Sequence, residues 1–321
     1  ESGGSSAPIP LASVSVAAFV AAPTYPILGA DPRLAIFNEI NAYRSKLVMG
    51  SSAGVGMLAQ DTTLDFAAQK HADYLAFSQS SPIETHDEVS TSSSYYYAAT
   101  PHDRALKAGF IPANAWIGES IGDVSICARQ LLNTVYHLQA LTGGFEKIGI
   151  GYTPDWTCVI KGALVTGVSG MGATTTWNGS PIGGGQQIGL KDIAVSPYSG
   201  EANVAVAMSI GENPRPVPTL SNPGHPVMLR VKVDFVTDAL HVKNFKVMDS
   251  TGSVIAGVIL VSTNASSGST ATVTADGNIM PGVVFFVPQS PLSSGKTYTA
   301  QFDGDRNGSA VALTWSFSTK P

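Results

Sequence analysis

The sequence predicts an α+β chain in two parts: a helix-rich region that runs into short strands over residues 31–212, then an all-β sandwich over 213–321. Three observations carry this. Apolar residues recur every three or four positions between residues 31 and 141. From Lys147 onward, short runs rich in Val, Ile and Tyr replace them. Prolines then crowd into ENPRPVPTLSNPG, just where the pattern turns wholly β. The 321 residues are 44% hydrophobic and only 13% charged, enough apolar material for two packed domains.

The elements follow in order. Residues 1–30 are dominated by Gly, Ser and Pro and read as a flexible linker. Asp31-Pro32 is a helix entry, and Leu34, Phe37, Ile40, Tyr43 and Leu47 form one face of a first helix that ends at Gly50. A second helix starts near Asp61 and places Leu64, Ala68, His71 and Leu75 together. Thr100-Pro101-His102-Asp103 opens a third, with an acid three residues after the cap, and Gly109 stops it. A fourth is expected from about Val124 to Leu141, before Gly143-Gly144. KIGIGY, TCVIKGALV and NVAVAMSI read as strands. The glycine-rich stretch 167–189 between them is a long loop or a pair of hairpins. Beyond the prolines, about seven short strands separated by turns read as an immunoglobulin-like sandwich, without the Cys pair of an antibody domain.

Composition excludes some functions. A net charge of -5 and no clustered Lys/Arg stripe argue against nucleic acid as a partner. No apolar run approaches the roughly 18 residues of a membrane span. The low Lys/Arg content, the Ser/Thr/Gly/Ala excess and the opening ESGGSSAPIP resemble an exported chain, extracellular, periplasmic or on the cell surface. A preceding segment would supply a signal or a lipid anchor. The two cysteines, Cys127 and Cys158, are compatible with a disulfide or with two buried thiols.

WIGESIG, residues 116–122, carries the main functional signal. Glu119 is one carboxylate among apolar and small neighbours, so it needs water or partners. His86 lies upstream in ETHDE and His137 downstream in NTVYHLQAL. Two imidazoles and a carboxylate can hold Zn²⁺, form a hydrogen-bonded cluster, or work as an acid/base pair.

FNEINAYRSKLVMG, LDFAAQKHADYLA, THDE, TPHDRALKAGF, GESI, NTVYHLQAL and FEKIGIGY, in that order, resemble a bacterial member of the CAP superfamily. That group holds the cysteine-rich secretory, antigen 5 and pathogenesis-related proteins, and the likeness covers roughly residues 31–165. The resemblance implies an α-β-α sandwich, secretion, and a cleft lined by two His and two Glu. His86, Glu119 and His137 match three of these four. Ser120 replaces the Asn of the family's Gly-Glu-Asn motif, Leu138 an Arg, and Leu131 a Trp. The second cleft glutamate has no counterpart, with Asp87 and Glu88 unassigned. Gly211-Glu212-Asn213 repeats the motif, but it falls in the proline-rich boundary and is read as no part of the cleft.

The remaining polar residues have structural readings. His71 is a core histidine, His102 lies in a first helical turn, Arg104 pairs with a carboxylate or a loop carbonyl, and Asn41 and Arg44 fix loops. DGDRNG, 303–308, resembles the start of a calcium loop, but Asn-Gly between strands favours a hairpin. Tyr95, Tyr96 and Tyr97 either rim the cleft as ligand contacts, or one or two of them pack on the core and the rest lie on the surface.

Three functions compete: a non-enzymatic binder of a lipid, sterol or cell-envelope component, needing no cofactor; a hydrolase using Zn²⁺ or another divalent metal on His86 and His137, with Glu119 as general base; or a structural surface protein with a vestigial cleft.

Overall fold

The structure is a computed structural model and describes residues 13–27, 31–78, 85–123, 125–154, 157–168 and 176–321. The first region holds β1 (Val14–Ser15), α1 (Arg33–Arg44), β2 (Ala59–Gln60), α2 (Thr62–Phe77), α3 (Pro101–Lys107), β3 (Trp116–Asp123), α4 (Cys127–Leu132), α5 (Tyr136–Leu141), β4 (Lys147–Tyr152) and β5 (Thr157–Leu164). Short strands follow: β6 (Thr176–Trp177), β7 (Ser180–Pro181), β8 (Gln186–Gln187), β9 (Ile193–Ser196) and β10 (Glu201–Val204). The last seven are β11 (Val227–Val231), β12 (Leu240–Met248), β13 (Gly257–Ser262), β14 (Thr274–Asp276), β15 (Val283–Pro288), β16 (Thr297–Arg306) and β17 (Ser309–Thr319).

Local chemistry starts the helices. Asp61 caps α2 by accepting from the N–H groups of Thr63 and Leu64, and Thr100 caps α3 by accepting from Asp103. Strands β2-β4-β5-β3 form one sheet, antiparallel except for β2 with β4. Every residue of β5 is buried, and its alternate side chains serve both faces. Cys158, Ile160 and Leu164 join Ile40 of α1, Leu131 of α4 and Leu138 of α5. Val159 and Ala163 meet α2 and α3 from the other side. The result is an α-β-α sandwich. Gly149 and Gly151 let α2 lie close on β4, because a Cβ at either would strike the α2 backbone. A disulfide joins Cys127 of α4 to Cys158 of the central strand.

The fourth helix differs from expectation. It is broken at Asn133–Val135 into α4 and α5, and Val124 lies outside the described residues. The Asn133 side chain turns away to donate to the Ala207 carbonyl at 2.8 Å and to Ser209 Oγ at 3.1 Å. The N–H groups that begin α5 then find a separate partner, described below.

Two further sheets face one another, β10-β17-β16-β12 and β14-β13-β15-β11-β9. Leu229, Val284 and Phe286 of one pack on Phe245, Phe302 and Trp315 of the other. Asn307 and Gly308, at φ 48° and 82°, make the expected hairpin turn between β16 and β17. Val283, Phe285 and Val287 of β15 point the opposite way, into the core built by α1, α4 and α5. The five-stranded sheet is thus covered on both faces, and the two regions share a core.

The sheets also cross the boundary expected at residue 212. β9 pairs with β11 and β10 with β17, so residues 193–204 belong to the sandwich sheets. Of NVAVAMSI, strand β10 takes only the first two residues. Met208 and Val217, on either side of that boundary, are buried in the shared core. Residues 13–27, expected as part of a linker, lie on the fold: Val14 pairs with Gln186, and the buried Tyr25 donates its hydroxyl to Asp65 at 2.5 Å. Residues 1–12 and residues 169–175 of the glycine-rich stretch lie outside the described residues. No helix among those described is long and apolar enough to cross a membrane.

Candidate functional site

Sheet register makes the first half of the site. β3 and β5 are antiparallel, and Glu119 falls directly opposite Lys161. The two side chains form an ion pair with neither more than 1% exposed. Arg104 of α3 donates through Nη2 to Glu119 Oε1 at 3.0 Å and Oε2 at 3.1 Å. His86 Nδ1 lies 3.2 Å from Oε1, and His71 Nε2 lies 3.5 Å from it. His71 also meets Glu88 at 3.0 Å and the Thr85 carbonyl at 2.8 Å. Glu88 in turn accepts from the Tyr97 and Ala98 N–H groups. Burial alone would raise the Glu119 pKa. Lys161, the His86 hydrogen bond, His71 and Arg104 outweigh burial and hold the carboxyl well below the usual carboxylate range. Burial pushes the Lys161 pKa down, against the pull of Glu119.

The helix break makes the second half. Glu212 reaches the start of α5, and its carboxylate accepts from the N–H groups of Val135 at 2.9 Å, Tyr136 at 2.7 Å and His137 at 2.9 Å. These donors have no intrahelical partner, and a carboxylate suits the positive end of a helix. The same carboxylate lies 3.0 Å from His137 Nδ1. Burial would raise its pKa, but the hydrogen bond and charge of His137, with the backbone donors, hold it low.

Both pairs open onto one cavity of about 410 Å³ between the helical region and the sandwich. His86, Glu119, His137 and Glu212 line it, with Trp116, Tyr136, Phe145 and Trp177 as aromatic walls. The sandwich contributes Arg230, Val233 and Met280. The three residues singled out in the sequence therefore share a hollow, His86 and Glu119 as one pair and His137 as half of a second pair completed by Glu212.

Residues 37–160 match the family model described as CAP, the cysteine-rich secretory protein family. The match supports a CAP superfamily domain in this part of the chain. No curated protein gives a significant match. The CAP segment holds His86, Glu119 and His137, whereas Glu212 and Arg230 come from beyond it.

Glu212 corrects one reading of the sequence. Gly211-Glu212-Asn213 reads in the sequence as part of the proline-rich boundary, yet it supplies the second glutamate of the hollow. The available signal was the motif itself; its distance from the helices concealed it. Lys161, the single charge in the apolar run TCVIKGALV, was a second signal, since a buried lysine requires an acid. The three tyrosines do not line the cavity. Tyr95 packs on Phe77, Tyr96 on the α2 side of the sheet, and Tyr97 against Phe66 with Lys107 over its ring. His71 is buried and hydrogen-bonded as a core histidine, and Arg104 pairs with Glu119 and with the His86 and Ala98 carbonyls.

A CAP cleft raises the question of a divalent metal on His86, His137 and Glu119. Both Glu119 oxygens are already held by Arg104, Lys161 and His86, so the carboxylate would have to abandon two buried cations to ligate. Among the described residues no group of three or more His, Cys, Asp or Glu side chains is placed to hold an ion. The residues present do not fit a three-ligand centre.

Proposed function

We propose that the chain is an exported binding protein that holds a lipid, sterol or cell-envelope component between its CAP domain and its sandwich, without turning it over. The observation that carries this reading is the cavity of about 410 Å³ with four aromatic walls. Ligand sites are concave and mostly apolar, with a few placed polar groups, and this hollow has that make-up. The disulfide suits a compartment outside the reducing cytosol.

The hydrolase reading draws less support. A general base works best with a pKa near the working pH. Glu119 and Glu212 are both held low and both fully engaged. The sandwich is a wall of the hollow as well as a spacer, so the ligand requires both parts of the chain.

The test uses the full chain. Dehydroergosterol, palmitate and soluble peptidoglycan fragments are titrated in turn, following tryptophan fluorescence. One class should bind saturably at one equivalent and be lost in Ala140→Trp, which fills the hollow. If all three fail to saturate, or bind Ala140→Trp unchanged, the reading is wrong.

A further inference from the structure

Two arginines meet the end of α5 from different parts of the chain. Arg44 of α1 is fully buried, and its guanidinium donates to four carbonyls: Gly56 at 2.5 Å, Leu141 at 2.6 Å, Gly143 at 2.9 Å and Val55 at 3.0 Å. Arg230 of β11 donates to Thr142 at 2.6 Å and to Gln139 at 2.5 Å. Alternation along β11 sends Val227, Leu229 and Val231 into the sandwich core and Arg230 toward the helices and the cavity.

Neither guanidinium has an acidic partner among the described residues. Carbonyls at a helix C-terminus carry only a partial negative charge and offset part of the two positive ones. Burial pushes both pKa values down, Arg44 to about 9, where Arg230 adds to the effect, and Arg230 to about 10. Both therefore stay charged at neutral pH. At Glu119, by contrast, acids and bases are matched. The positive excess lies at the α5 end of the hollow, where Lys232 also stands on the wall, 3.4 Å from Asp234.

The donor count separates the two arginines. A guanidinium has five N–H groups. Arg44 uses four of them on carbonyls, which makes it a clamp. Arg230 uses two, leaving three N–H groups, and its Nε is buried with no partner among the described residues. A buried donor left unpaired costs free energy unless a ligand meets it. The N–H groups left on the two Nη atoms are charged donors of the kind a carboxylate or a phosphate accepts.

We infer that the ligand of this hollow is an organic anion: an apolar or aromatic body against Trp116, Tyr136 and Trp177, with a carboxylate or phosphate group docked on Arg230. This rests on the binding function proposed above and adds the charge of the ligand to it. A neutral sterol would leave the Arg230 donors unpaired, whereas an acidic amphiphile or an acidic envelope fragment would meet them.

The test compares three probes with similar bodies, 6-phenylhexanoate, 5-phenylpentylphosphonate and 6-phenylhexanamide, by calorimetric titration of the full chain. One or both anions should bind at least tenfold more tightly than the amide, and the tighter of the two identifies carboxylate or phosphate chemistry. Arg230→Met should bring the anions down to the affinity of the amide, with the fold of the variant checked by its circular dichroism spectrum and melting curve. Arg230→Lys should retain most of the anion preference. Equal affinities for all three probes in the wild type would overturn the inference while leaving the binding function standing. Failure of all three to bind would overturn the inference, and the binding function would then stand or fall on the dehydroergosterol, palmitate and peptidoglycan titrations. If Arg230→Met does not fold, the wild-type comparison and Arg230→Lys decide.

Discussion

Glu212 and His137 meet at the break between α4 and α5, with Nδ1 3.0 Å from Oε1, while the same carboxylate accepts from the His137 backbone N–H at 2.9 Å. The pair is at once a helix cap and a wall of the hollow. It joins a CAP segment to the proline-rich stretch that leads into the sandwich.

Replacing Glu212 tests the cap. In Glu212→Ala the N–H groups of Val135, Tyr136 and His137 lose their acceptor, and loss of a buried cap and its charged hydrogen bonds should cost about 2–3 kcal/mol. Chemical denaturation should report this, with Glu212→Gln intermediate because it keeps one acceptor oxygen. Stability of Glu212→Ala within about 0.5 kcal/mol of wild type would mean that Glu212 does not hold α5.

The Glu119 network makes a different demand. Removing one partner of a buried pair leaves the other charge uncompensated and costs about 3–5 kcal/mol. Glu119→Gln should therefore be strongly destabilised, and Lys161→Met added to it should recover part of the loss. The folded pKa of Glu119 is depressed, so its contribution is present above the unfolded carboxylate range and is lost as pH falls below it. Acid unfolding of Glu119→Gln should accordingly be less steep than that of wild type. Additive losses in the double variant would sink the pairing.

Much of this fold could be read from local sequence. The starts of α2 and α3 are set by Asp61 and Thr100, whose side chains cap N–H groups two or three residues on. Seven strands after residue 213 follow from alternation and turns. The break in the fourth helix could not be read, because the apolar period runs on through Asn133 while the acceptor that permits the break lies 75 to 77 residues away. The position of residues 13–27 was equally hidden, since the segment has no sustained apolar period and its anchors are distant in sequence: Val14 pairs with Gln186, the Ala17 N–H donates to Gln186, and the Tyr25 hydroxyl donates to Asp65. Glu119, His86 and His137 were visible as polar residues in conspicuous settings. Their division into two pairs depends on Lys161 and Glu212, which only strand register and the helix break bring near.

Zinc gives a direct check on the cleft. With both Glu119 oxygens engaged, equilibrium dialysis against micromolar Zn²⁺ should leave equal, substoichiometric metal on wild type and on His137→Ala. A full equivalent on wild type that disappears in His137→Ala would show that the imidazoles ligate an ion after all, and the hydrolase reading would return.

Glu201 on β10 should make the protein less stable as pH rises toward neutrality. Burial raises its pKa from 4.5 to about 7, although the Tyr198 N–H, the Tyr43 hydroxyl and Lys46 oppose the shift. Between those two values the folded state keeps a proton that the unfolded chain has released. The slope of unfolding free energy with pH is then negative across that window, so this stabilisation is full below the unfolded pKa and gone above the folded one. A shift of this size is worth about 2–3 kcal/mol once residual exposure is allowed for. Glu201→Gln removes the titration and keeps an acceptor for the Tyr198 N–H. Its melting temperature should exceed that of wild type by roughly 5 °C at pH 8, with the difference shrinking toward zero near pH 4.5. Parallel melting curves for the two proteins across that range would show that Glu201 is charged in the fold at every pH, and that the contact between α1 and the sandwich edge tolerates the charge.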